Sequence, residues 1–81
     1  MTNISKEILM FAVAFSKPID ELELSTRTWN ALHRWGVYTI ADLVELGLKG
    51  ELSKIRNLGE KSLNEIDYML DRYIEKWTEV Q

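Results

Sequence analysis

A chain of 81 residues with a net charge of -3, 46% hydrophobic and 28% charged, has the composition of one small globular domain with a single modest core. That size leaves no room for a deep active site beside a regulatory domain. With no cysteine and one histidine, His33, it also excludes a disulfide framework, a thiolate zinc site and a convergent nucleophile, base and acid, so no metal, no cofactor and no enzymatic role are expected.

In chain order, the first feature is the apolar run Ile8 to Phe15, "ILMFAVAF". Its A-x-A at Ala12 to Ala14 lies inside the run, and Lys6 and Glu7 cancel in front of it, which argues against an export signal. A membrane span needs about 20 apolar residues, so the cytoplasm is the expected compartment. Eight consecutive apolar side chains would form a sizeable exposed patch. The run is therefore expected to fold against the last helix near Tyr73 and Trp77, as an N-terminal extension (1–17) packed on a domain (18–81).

Pro18 and "IDELEL" lead to Ser25, an N-cap for a helix through Trp29 and Leu32 to about Trp35, with Gly36 as its stop. Thr39 caps a second helix, "IADLVEL", with Asp42 placed to complete a capping box. Gly47 and Gly50 bracket a turn before a third short helix of about "GELSKI". The last helix begins near Gly59 and repeats apolar residues at Leu63, Ile66, Leu70, Tyr73 and Trp77, the spacing of one buried face. No convincing strand alternation is present. The fold class is all-α, a compact bundle of four to five short helices around Leu22, Leu24, Trp29, Leu32, Val37, Ile40, Leu43, Ile55, Leu58, Leu63, Ile66 and Leu70.

Charge is unevenly distributed. From Ser25 to Ser62 six cations face four carboxylates, a net of +2, while the acid is carried by the two flanks. Two candidate groups lie in this basic centre. On the first capped helix Arg27, Asn30, Ala31 and Arg34 fall at i, i+3, i+4 and i+7, one face, with Thr28, Leu32 and Trp35 opposite. In "KIRNLGEKSLNEI", Gly59 removes a Cβ where a ligand backbone could approach, and the amides of the following helix turn, with Lys61 and Ser62, offer donors to phosphate. Lys54 and Arg56 flank it. A solvated helix face and an ordinary helix start are the competing readings of these two groups.

Three motifs in order carry a resemblance: "PIDELELSTR" from Pro18, "GVYTIADLV" from Gly36 and "RNLGEKSLNEI" from Arg56. Over about Phe11 to Leu70 the chain resembles the C-terminal domain of the bacterial RNA polymerase alpha subunit, here as a free-standing small protein, with a helix-hairpin-helix-like turn. The resemblance implies a DNA-binding transcription module that inserts an arginine into A/T-rich minor groove, the role of Arg27, beside Asn30 and Ala31. It implies backbone contacts from Lys54, Gly59, Lys61 and Ser62, and a site-ordering acid at Glu65. It also implies that Glu21 and Glu23 meet a sigma factor or activator, bringing the chain to RNA polymerase; a monomer is the expected state, although the sequence itself does not decide between monomer and dimer. Narrow A/T grooves concentrate negative potential and favour arginine by shape, which makes this reading physically coherent.

The chain departs from the pattern at Glu60, where the family usually has a cation, at His33 in place of a common lysine, and at Ala31 in a cysteine-like position. "ELGLKG" is about one residue longer, and the last helix continues through "DRYIEKWTEV" where the family turns at a glycine. Glu60 and the net charge motivate the alternative, a protein-interaction adaptor that mimics the domain with little DNA binding.

Overall fold

The structure is a computed structural model that describes residues 5–79; the outer ends of the two expected segments, residues 1–4 and 80–81, lie outside the described residues. Four helices follow in order: α1 (Lys6–Ser16), α2 (Thr26–Trp35), α3 (Ile40–Leu48) and α4 (Glu60–Glu79), with single 3-10 turns at Ile19–Leu22 and Leu52–Lys54. No strand forms among the described residues, although an isolated antiparallel bridge joins Pro18 to Thr39. Around it the Ile19 amide donates to the Tyr38 carbonyl at 3.0 Å and the Ile40 amide to Lys17 at 2.9 Å. The segment before α2 is thereby fixed to the start of α3.

Local chemistry sets the helix ends. The Ser25 hydroxyl accepts from the Thr28 amide, and Gly36 closes α2 at φ 93, a left-handed cap that glycine adopts without strain. At α3 the capping box is complete: Thr39 Oγ1 accepts from the Asp42 amide at 3.1 Å, and Asp42 Oδ2 accepts from the Thr39 and Tyr38 amides at 3.1 and 3.2 Å. The amide bonds from Thr39 and then Tyr38 hold the Asp42 carboxyl below its ordinary range.

Two expectations change here. Gly47 does not end a helix but lies inside α3, which runs on to Leu48 and turns at Gly50. The third helix is only the 3-10 turn Leu52–Lys54, because four residues separate Gly50 from the extended Ile55, too few for a regular α-helix.

The core contains Ile19, Leu22, Leu32, Val37, Ile40, Leu43, Ile55, Leu58 and Ile66, together with Ala14, Ala31 and Tyr73. Leu24, Trp29, Leu63 and Leu70 pack against it only partly buried. The N-terminal run divides. Ala14 is buried and its carbonyl accepts the Tyr73 hydroxyl at 2.6 Å, whereas Ile8, Leu9 and Val13 point outward. Packing against α3 and α4 is reached by one side of α1 alone, so an apolar run that continues all round the helix leaves its other side uncovered.

Candidate nucleic-acid interface

α2 and the Arg56–Asn57 turn bring the basic residues together. Arg27, Asn30, Ala31, Arg34 and Asn57 line an open cleft of about 250 Å³. A second of about 500 Å³ adjoins it, lined by Ala31, Arg34, Trp35, Arg56 and Asn57. Among the described residues none of Arg27, Arg34, Lys54, Arg56 and Lys61 is in an ion pair; the pair present is Lys49 with Glu45 at 3.3 Å. Their charge is therefore free to meet an anion.

Beside this surface Glu65 joins two helices. Its Oε2 accepts the Ser25 amide, and its Oε1 accepts the Ser25 hydroxyl at 3.0 Å and the Thr28 hydroxyl at 2.6 Å. The Ser62 hydroxyl lies 3.1 Å from that of Thr28. One carboxylate thus ties α4 to the first turn of α2, immediately beside Arg27. Partial burial works to raise the Glu65 pKa, but the hydrogen bonds from Thr28 and from the Ser25 amide and hydroxyl outweigh it and hold the group below its ordinary value.

The sequence-derived residues take different positions. Arg27 is exposed and Asn30 half-buried on the cleft wall. Ala31 is only 4% exposed and forms the cleft floor, since its side chain sits at the edge of the buried Thr28–Leu32 stripe. Ser62, expected to offer its hydroxyl to phosphate, faces inward and is engaged by Thr28. Lys54, Gly59 and Lys61 are exposed but line neither cleft. The Gly59 carbonyl accepts the Leu63 amide at 3.0 Å, and a Cβ there would meet nothing within 4 Å. The packing of the free domain thus does not require glycine at this position. Glu21 and Glu23 are both exposed and line a separate open cleft with Arg72, Tyr73, Lys76 and Glu79 on α4.

At two positions the structure departs from the sequence reasoning, and of the two only Asn57 belongs to the Arg27 cleft. Asn57 stands at φ 72 and lines both basic clefts; an asparagine before Leu-Gly is a left-handed-turn signal that was available. Trp35, placed with the buried side of α2, is half exposed because it lies in the last turn, beyond the edge of the core. Among the described residues no group of three metal-ligating side chains is assembled, and no helix is long and apolar enough to cross a membrane.

Residues 12–72 match the family described as the C-terminal domain of the bacterial RNA polymerase alpha subunit. The chain is similar to the DNA-directed RNA polymerase subunit alpha of Malacoplasma penetrans, 58% identical over 48 residues, which cover 59% of this chain and 14% of that protein. The subunit alpha of Leuconostoc mesenteroides is 39% identical over 67 residues, 83% of this chain and 21% of that protein. The chain thus spans about a seventh to a fifth of the length of these relatives. No solved structure matches it.

Proposed function

This chain belongs to the bacterial RNA polymerase alpha C-terminal domain family, and from that membership we propose that it is a DNA-binding transcription module for A/T-rich promoter DNA. The observation that carries the reading is the cleft in which Arg27, Asn30 and Arg34 meet Asn57 beside the start of α4, with every guanidinium free of an ion pair. Arg27 enters the narrow minor groove, where negative potential is concentrated, and Asn30 and Asn57 supply donors and acceptors at the groove wall. Lys54, Lys61 and the first-turn amides of α4 hold the flanking phosphates. Gly59 has a use here that it lacks in the free domain, the close approach of a sugar-phosphate backbone. Ser62 acts indirectly, by holding Thr28.

The module works in the cytoplasm as a monomer, in contact with RNA polymerase. A second reading, a protein-interaction adaptor, is favoured by Glu21 and Glu23, which face an open cleft and would meet a basic surface of a sigma factor or activator.

Titration of the domain with A/T-rich and G/C-rich duplexes, followed by NMR shifts, tests the proposal. With about two to four phosphates engaged, binding should be weak, on the order of 10 to 100 μM, with a log-log salt slope of about -2 to -4. Arg27→Ala should abolish the A/T preference. Lys61→Ala should weaken both duplexes alike and flatten the slope by about one, because a phosphate contact carries no sequence information. Absence of any shift at low salt would reject DNA binding and leave the adaptor reading.

A further inference from the structure

We propose that the wider cleft, at the C-terminal end of α2, is a stacking subsite for an unpaired nucleobase, so that the domain also binds single-stranded DNA. Trp35 is 50% exposed in a concave surface, next to positions of the same helix that are fully buried. The other two tryptophans have ring partners: Trp29 stacks on His33 at 3.7 Å and Trp77 tilts against Tyr73 at 6.2 Å. The exposed Tyr68 is covered by Arg72 at 5.7 Å. Among the described residues no ring or guanidinium lies over Trp35.

The surroundings fit a nucleotide. Arg34 and Arg56, neither in an ion pair, share the cleft with the indole, and the Asn57 side-chain amide adds a donor and an acceptor. The C-terminal end of α2 carries a partial negative charge, which disfavours a site built on phosphate alone. The two guanidinia offset it, and stacking on the indole supplies the remaining attraction, because every base presents a π-face. Minor-groove binding through Arg27 has no use for this ring. In a duplex the base faces are covered by their neighbours, so an exposed indole selects for an unpaired base. The volume of about 500 Å³, twice that of the Arg27 cleft, accommodates a base with its sugar.

The test is anisotropy and tryptophan fluorescence of the full chain at low salt, with an oligothymidylate of about ten nucleotides and with an A/T-rich hairpin duplex. The wild type is expected to bind the single strand with quenching, and with a salt slope of about -1.4 for two phosphates. Trp35→Ala and Trp35→Leu should weaken single-strand binding about 5- to 150-fold, the range of one base–aromatic stack, while Trp35→Phe recovers most of it. Duplex affinity should stay within about twofold in all three. Should the alanine form be unstable, the comparison of leucine with phenylalanine, both apolar but only one with a π-face, decides alone. The proposal is overturned if the wild type ignores the single strand, or if the leucine variant binds it like the wild type. The duplex arm reads the minor-groove function separately, so either can fail while the other stands.

Discussion

Removing the Glu65 carboxylate perturbs the joint between α4 and the first turn of α2. Three donors lose their acceptor in Glu65→Ala: the Ser25 amide, the Ser25 hydroxyl and the Thr28 hydroxyl. Hydrogen bonds to a charged group contribute about 1.5–3 kcal/mol each, but Ser25 is exposed and water replaces the carboxylate there, while Thr28 keeps Ser62 as a partner. The net cost is then about 2 kcal/mol, which in a domain of this size lowers Tm by roughly 8–16 °C. The sign of the pH dependence follows from the lowered pKa. Stability contributed by Glu65 is fully present above its ordinary value of 4.5 and is lost as the pH falls below that through the folded value. Urea melts at neutral pH and again near the low end of that window measure both effects. If Glu65→Ala melts within about 0.5 kcal/mol of the wild type at neutral pH, the carboxylate does not hold α4 to α2.

Asp42→Ala should cost about 1 kcal/mol at neutral pH through loss of its half of the capping box, and the difference from wild type should vanish as the pH falls below 3.8, read by thermal melts across pH. Tyr73→Phe removes the bond to the Ala14 carbonyl and should cost about 1 kcal/mol, with amide exchange in α1 rising more than in α3. Asn57→Ala should destabilise by about 1 kcal/mol at φ 72 while Asn57→Gly should not, in denaturant melts. Glu60→Lys should raise duplex affinity severalfold and steepen the salt slope by about 0.9 through one added phosphate contact. It should also cost a few tenths of a kcal/mol in stability, because Glu60 sits in the first turn of α4.

What could be read from the sequence was what short-range chemistry determines. Ser25, Gly36 and the Thr39–Asp42 box are signals complete within four or five residues, and the helices they bound are present. The Arg27–Asn30–Arg34 face is likewise a matter of spacing on one helix. Gly47 misled because a glycine inside a helix costs only about 1 kcal/mol against alanine, less than α3 recovers by burying Leu43 and packing Leu46. Ala31 and Trp35 misled for a related reason: spacing gives a direction around the helix axis, but what packs there decides where burial begins and ends. Glu65 contacts residues 37 and 40 positions away, so its role was visible only through the family resemblance. Nothing within its own helix distinguishes it from a solvated acid.

The net charge of -3 is not the potential that an approaching phosphate meets. With a rise of about 1.5 Å per residue, Glu75 and Glu79 lie about 21 and 27 Å along α4 from Lys61. At about 0.1 M salt the screening length is about 10 Å, so those acids are largely hidden from the start of α4. Glu65 directs its charge into Ser25 and Thr28, which leaves Glu60 as the acid nearest the proposed phosphate contacts on α4. Local cations therefore outweigh local acids at moderate salt although the whole molecule is anionic. The compensation fails as salt is removed, because at about 0.01 M the screening length reaches about 30 Å and the far end of α4 is felt. A plot of log affinity against log salt should then bend, steep near about 0.1 M and shallow towards about 0.01 M, where a uniformly basic domain would remain straight.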